Sequence, residues 1–113
     1  MNEEIPIQSR DYWFKVIEML QQNWAFIEHT AQGVTVYFVN DTSGVFDEMT
    51  FGSSAFAETE LRLNGFRRFA EDERAASFLH CPQPPFTRRS HPSGPIYSSG
   101  RFWKNGENSN SNI

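Results

Sequence analysis

Five of the six prolines in this 113-residue chain fall within residues 80–95, and this clustering limits the fold more than any other feature. Proline lacks the backbone N–H that a helix needs, and its ring disfavours helical geometry in the residue before it. No regular helix can therefore run through this segment. The helices and most strands must come from residues 9–79, and the proline-rich segment closes the structure as an extended chain.

The clearest helical pattern lies near the N-terminus. Large apolar residues recur there at helical spacing, at Trp13, Val16, Ile17, Leu20 and Trp24. This spacing is typical of an amphipathic helix, and Ser9 stands where a helix N-cap is expected. We therefore predict an N-terminal helix from about Arg10 to Asn23.

Three segments with strand character follow this helix. Residues 24–30, 34–40 and 45–51 are rich in β-branched and aromatic side chains, and glycine-containing turns separate them. Such runs joined by short turns are typical of antiparallel hairpins. The sequence therefore predicts a three-stranded antiparallel meander, with residues 96–103 as a possible fourth strand.

Two further helices are predicted after the meander. Ser53 or Ser54 can cap a helix that ends near Leu63, where the following Asn-Gly pair is a typical helix stop. The acidic residues 71–73 favour the start of another helix, because negative charge stabilises a helix N-terminus. This second helix ends near Leu79.

These elements combine into a two-layer α+β fold. It consists of the N-terminal helix, the three-stranded meander, the two further helices and the proline-rich closing segment. The length supports one hydrophobic core. We therefore assign residues 1–104 to a single domain and residues 105–113, which are rich in Gly, Asn and Ser, to a flexible C-terminal tail.

Composition bears on the compartment of the protein. Apolar residues make up 38% and charged residues 21% of the chain, as in ordinary globular proteins. No run of 18 apolar residues could span a bilayer, and the acidic start is unlike a secretory signal. The single cysteine, Cys81, cannot form an internal disulfide. We therefore expect a cytoplasmic protein with no membrane association.

Charge is divided unevenly between the two halves of the chain. Residues 1–60 carry ten acids and two bases (net −8), and residues 61–113 carry eight bases and four acids (net +4), which gives the overall −4. Such asymmetry can attract an acidic or polyanionic partner. It can equally hold the two halves of one domain together, and this second interpretation is the one we favour.

The proline- and aromatic-rich segment 84–103 is the predicted binding site. Its prolines limit the freedom of the unfolded chain, so it can be held in one shape at lower entropic cost. It carries hydrogen-bonding, cationic and aromatic side chains suited to a ligand, and the predicted site residues are His91, Tyr97, Ser99, Arg101 and Trp103. The alternative is that this segment only covers the open face of the sheet.

Two other functions stay open at this point. A small hydrolase or transferase could use His91 with Ser98, Ser99 or Cys81, although no nucleophile elbow of the G-x-S-x-G type is present. The basic, aromatic C-terminal half could bind nucleic acid, but the net charge and the lack of a recognised module argue against this. No metal-ligand spacing is present, so we predict no metal and no cofactor. The leading prediction is a non-enzymatic binding or interaction module.

Aromatic residues make up 15% of the chain, and 11 of them are phenylalanine. A core of this size does not hide them all. The remainder would form an exposed apolar patch, which favours self-association or a binding pocket. We therefore expect a homodimer, and a small acidic ligand or a protein as the other possible partner.

Three stretches of the sequence resemble a known group of proteins. They are Asn64–Phe69, Pro84–Phe86 and His91–Trp103. The chain resembles, over about residues 45–104, small uncharacterised bacterial proteins of the kind carried on integron gene cassettes and other mobile elements. This resemblance implies a bacterial cytoplasmic protein, often oligomeric, with an adaptive role that is not assigned. It implies no catalytic or binding residue.

Overall fold

A computed structural model of the chain describes residues 3–18 and 21–89. Strands dominate this part of the chain, and helices are few. The strands are β1 (Glu4–Ile5), β2 (Trp13–Glu18), β3 (Gln21–Thr30), β4 (Gly33–Val39), β5 (Gly44–Phe51), β6 (Arg67–Arg68) and β7 (Phe86–Arg88). The helices are α1 (Ser54–Leu63), a single 3₁₀ turn (Phe69–Glu71) and α2 (Glu73–Phe78).

All seven strands belong to one mixed sheet, in the order β1-β7-β5-β4-β3-β2-β6. The four strands β2 to β5 form a continuous antiparallel meander, so each pairs with its neighbour in sequence. β7 lies beside β5 in the parallel direction and pairs with β1 in the antiparallel direction. The start of the proline-rich segment is therefore a strand of the sheet.

The predicted N-terminal helix is wrong, because its residues form β2 and the beginning of β3. Trp13 pairs with Ala25 and Phe14 pairs with Trp24 across this hairpin. Trp13 and Phe14 are both buried although adjacent strand residues point to opposite faces. A sheet covered on both faces buries both sets of side chains, so the strand loses its alternating pattern. The run of apolar residues then resembles a helical stripe.

One face of the sheet is covered by α1, and we call it the helix face. Its buried cluster joins side chains of β2 to β5 with two residues of α1, Ala57 and Leu61. The side chain of Ser53 caps this helix by accepting a hydrogen bond from the backbone N–H of Phe56 at 3.1 Å. The chain leaves the helix through Gly65 at φ +92°, a conformation that favours glycine. The predicted helix from Ser53 or Ser54 to Leu63 is thus confirmed.

The opposite face holds a cluster of aromatic rings, and we call it the aromatic face. Its large buried side chains are Phe14, Trp24, Phe26 and Phe86, with Tyr12 and Phe69 packed against them. Several short pieces of chain cover this face, among them the residues just after β1, α2 and the residues between α2 and β7. Both faces are therefore covered, and the predicted two-layer fold with three helices is wrong. The described residues form a seven-stranded mixed sheet with α1 on one side and α2 on the other.

The turn between β4 and β5 also holds the first hairpin in place. The side chain of Asn40 accepts hydrogen bonds from the backbone N–H groups of Thr42 and Gly44, both at 2.9 Å. Asp41 accepts a hydrogen bond from the indole Nε1 of Trp24 at 2.8 Å. The predicted turn is confirmed, and its polar residues explain how a tryptophan on the aromatic face keeps its N–H paired.

Several predictions fall outside the described residues. They are the possible fourth strand at 96–103 and the flexible tail at 105–113, which stay predictions. No helix among the described residues is long and apolar enough to cross a membrane.

Candidate functional site

The five predicted site residues lie outside the described residues. They are His91, Tyr97, Ser99, Arg101 and Trp103, and Ser98 of the hydrolase alternative lies there too. Their assignment to a site therefore stays a prediction. The structure does describe residues 84–89 of the predicted segment, together with the residues that precede it.

Phe86, in the described start of this segment, packs into the core of the aromatic face. Phe86 is 1% exposed, and its ring centroid lies 5.1 Å from that of Phe26. The guanidinium of Arg10 covers the same ring, 5.5 Å from its centroid. The hydroxyl of Tyr12 donates a hydrogen bond to the carbonyl of Pro82 at 2.9 Å. This part of the segment therefore belongs to the sheet and its core, and the covering alternative for the remaining residues stays a prediction.

Cys81 does not have the properties of an activated nucleophile. Burial raises the pKa of its thiol above the ordinary value, so less thiolate is present at neutral pH. The neighbouring His80 is exposed, whereas the Cys81 side chain packs beside the aromatic face. These observations argue against the hydrolase or transferase that uses Cys81.

Two arginines of the second half, Arg68 and Arg88, pair with acids of the first half. Arg88 contacts Glu48 at 2.8 Å and Glu3 at 3.5 Å. Arg68 contacts Asp11 at 3.0 Å and Glu58 at 2.8 Å. The uneven charge of the chain therefore serves to join its two halves, and these four contacts leave less positive charge for a nucleic acid.

Arg68 lies at the centre of a charged network over Trp13. Burial opposes the charge of this guanidinium, but its hydrogen bond to Asp11 and the charges of Asp11 and Glu58 outweigh that penalty and raise its pKa above the ordinary value. The guanidinium of Arg68 lies 4.7 Å from the Trp13 ring centroid, and that of Arg62 lies 4.9 Å from it. Two cations stacked on one indole fix the start of β2 against α1. We assign this network to stability.

A cavity of about 480 Å³ lies beside the end of β3 and the start of α1. Three of its lining residues are the acids Asp11, Glu28 and Glu58. All three are occupied, because Glu28 accepts two backbone hydrogen bonds from the loop before β2 and the other two pair with Arg68. Among residues 3–18 and 21–89, no three His, Cys, Asp or Glu side chains could hold a metal ion. The acids that line this cavity therefore serve the fold, and we do not assign the cavity to ligand binding.

A smaller groove lies on the aromatic face between β2 and α2, and we call it the β2–α2 groove. It encloses about 260 Å³. Val16 on β2 and Phe78 on α2 both line it, although 56% and 67% of their surfaces are exposed. The buried side chains of Phe14 and Ala75 lie beneath them. Only one other large apolar side chain of the described residues, Leu63, is exposed to this extent.

Charged residues surround the apolar part of the β2–α2 groove. Arg67 contacts Asp72 at 3.2 Å, and 71% of its side chain is exposed. Asp72 is occupied on both sides, because its other oxygen caps α2 by accepting hydrogen bonds from the backbone N–H groups of Arg74 and Ala75. Arg74 also lines the groove, and it forms no ion pair with any of the acids whose side chains the structure describes. The groove therefore combines exposed apolar surface with net positive charge.

Sequence reasoning missed this groove for two reasons. Val16 belongs to the apolar stripe from which the N-terminal helix is predicted, and nothing in the sequence indicates that Phe78 is exposed. β2 and α2 lie more than fifty residues apart in the chain, and no local pattern predicts that they meet. No signal in the sequence singles out Arg74, because Glu71, Asp72 and Glu73 directly precede it, although no further acid follows until Glu107.

Comparison of the chain with protein-family models, with curated proteins and with solved structures gives no significant match. The resemblance to mobile-element proteins stays a prediction.

Proposed function

We propose that this protein is a non-enzymatic binding module and that its partner docks in the β2–α2 groove. The observation that carries this proposal is the exposure of Val16 and Phe78 on one groove rimmed by two arginines. Exposed large apolar residues that cluster usually mark an interaction surface. Aromatic and arginine side chains are also the residues that contribute most to protein interfaces.

The size of the groove favours a segment of another protein over a small molecule. Small-molecule pockets enclose roughly 300–1,000 Å³ and surround most of the ligand. The β2–α2 groove, at about 260 Å³, has room for one or two side chains. A partner segment would insert an apolar side chain between Val16 and Phe78 and rest the remainder of its length on the surrounding surface.

The test uses the neutral apolar dye Nile red as a probe of apolar surface, because its fluorescence increases on contact with such a surface even where the site does not enclose the whole molecule. The unaltered protein should bind the dye, and Phe78→Ser should weaken binding about fivefold, since half of a phenylalanine contact contributes on the order of 1 kcal/mol. Leu63→Ser is the matched control, because Leu63 is 59% exposed but does not line the groove. The control should bind as the unaltered protein does.

Two results would contradict this function. One is the absence of dye binding by the unaltered protein. The other is an equal loss for Phe78→Ser and Leu63→Ser, because the dye would then bind exposed apolar surface in general. Circular dichroism of both variants verifies that each keeps its strand content.

The predicted homodimer is a separate proposal, and native mass spectrometry of the unaltered protein tests it directly.

A further inference from the structure

We infer that the segment that docks in the β2–α2 groove is acidic as well as apolar. This inference rests on the function proposed above and adds the chemistry of the partner. Two guanidinium groups and one carboxylate, from Arg67, Arg74 and Asp72, surround the groove, whereas the whole chain carries a net charge of −4. A positive rim on a negative protein selects for a partner of opposite charge at this place.

The ion pairs already formed by the charged groups of the groove indicate that a carboxylate of the partner would bind to Arg74. Asp72 already accepts hydrogen bonds from the start of α2 and contacts Arg67, so its charge is used within the protein. Arg74 forms no ion pair with the acidic side chains that the structure describes. Its planar guanidinium can bind a carboxylate through two parallel hydrogen bonds. A carboxylate of the partner bound to Arg74 would place the neighbouring apolar side chain against Phe78.

The partner is expected to dock through its side chains, and not by adding a strand to the edge of the sheet beside β2. β6 pairs only with Trp13 and Phe14, so no described strand covers the outer edge of β2 beyond them. The register of β2 is irregular between Val16 and Glu18, however. Such bulges blunt a sheet edge and oppose pairing with another strand. Contacts in the groove itself therefore have to provide the affinity.

A second copy of this chain fits the groove poorly. In a two-fold dimer the same surface meets itself. Groove-to-groove contact would place Arg67 and Arg74 of one copy close to those of the other, and like charges at short distance repel. The segment that binds in the groove therefore belongs to a different protein and is both acidic and apolar.

The test compares two short acetylated and amidated peptides. Both alternate phenylalanine or leucine with a charged residue, which is glutamate in one peptide and lysine in the other. Each peptide is titrated against Nile red bound to the unaltered protein, and its affinity is obtained from displacement of the dye. The acidic peptide should bind about tenfold more tightly than the basic one, because the net positive charge of the groove attracts the first and repels the second.

Substitutions at Arg74 then assign the preference to this residue. Arg74→Gln should weaken binding of the acidic peptide about two- to fivefold, the range expected of an exposed ion pair, and should not weaken binding of the basic peptide. Arg74→Lys, which keeps the charge, should restore most of the affinity. Raising the salt from 50 to 500 mM should reduce the preference between the peptides.

The possible outcomes separate the inference from the function on which it rests. If Nile red binds through Phe78 but both peptides bind equally, or the basic one binds better, the acidic partner is wrong and the binding function stands. If neither the dye nor any peptide binds, both are wrong. If a single-stranded oligonucleotide displaces the dye more strongly than the acidic peptide, the partner is a nucleic acid and the inference is also wrong.

Discussion

The two faces of the sheet are covered in different ways. On the helix face one continuous ten-residue helix, α1, lies over β3, β4 and β5. On the aromatic face the cover is assembled from the N-terminal residues, the six-residue helix α2 and the chain that leads into β7. A cover made of short pieces leaves gaps between them. The β2–α2 groove is such a gap, which is why exposed apolar residues occur beside a well-packed core.

Both faces of the sheet are expected to be tightly packed cores that contribute to the stability of the protein. Phe26 on the aromatic face and Leu61 on the helix face are each 0% exposed. Phe26→Ala should lower the free energy of unfolding by about 3–5 kcal/mol, and Leu61→Ala by about 2–5 kcal/mol, because each leaves a cavity. Urea denaturation measures both. A loss of less than about 1 kcal/mol for Phe26→Ala would show that the aromatic face is loosely packed.

The second prediction concerns how α2 is attached to the aromatic face. Asp72→Ala removes the N-cap of α2 and the contact with Arg67, so it should cost about 1–2 kcal/mol. Asp72→Asn keeps an oxygen that can cap the helix, and its cost should be smaller. Ser53→Ala provides the same test for α1. Equal losses for Asp72→Ala and Asp72→Asn would show that the charge, and not the cap, holds α2.

The third prediction concerns pH. Burial raises the pKa of Tyr12, and the negative charge of a nearby thiolate at Cys81 raises it further. The unfolded tyrosine ionises at about pH 10, before the folded one. Stability from this group is therefore complete below pH 10 and is lost as the pH rises through the folded pKa. Thermal unfolding between pH 8 and pH 11 should show this loss.

Tyr12→Phe isolates this group from other alkaline effects. The substitution removes the hydrogen bond to Pro82, at a cost of about 0.5–1.5 kcal/mol near neutral pH. The alkaline decline should be shallower than in the unaltered protein, with a remainder from Tyr37 and Cys81, whose pKa values burial also raises. An unchanged alkaline decline would show that Tyr12 is not the group responsible.

The smallest effect on stability is expected in the groove itself. Phe78→Ser should change the free energy of unfolding by less than about 0.5 kcal/mol, because its side chain is 67% exposed. The same substitution should have the largest effect on binding. A loss of stability above 2 kcal/mol would place Phe78 in the core of the aromatic face and remove it from the docking surface.

The sequence was informative wherever a local signal determines structure. The helix α1 was predicted correctly because Ser53 caps its start and Gly65 ends it, and both signals act over a few residues. The turn at residues 40–44 was predicted for the same reason. The first hairpin was missed because Trp13 and Phe14 are both buried, so the alternation that identifies a strand is absent.

The candidate site depended on contacts between distant parts of the chain. The groove forms only because α2 lies across β2, and neither element carries a pattern that predicts the other. The positive charge of the groove likewise depends on which arginines form ion pairs with acids in the folded protein. Arg68 and Arg88 form ion pairs with described acids and Arg74 forms none with them, although all three belong to the same basic half of the sequence.

The most direct test of the groove is a chemical-shift map of the acidic peptide by ¹H–¹⁵N NMR spectroscopy, which detects even weak binding. The account predicts that amide signals of Val16, Arg74 and Phe78 move on titration. The signals of Leu63 and of the β4–β5 turn should stay in place. Shifts concentrated on the helix face or around residues 40–44, with Val16 and Phe78 unmoved, would contradict the assignment of the β2–α2 groove as the binding surface.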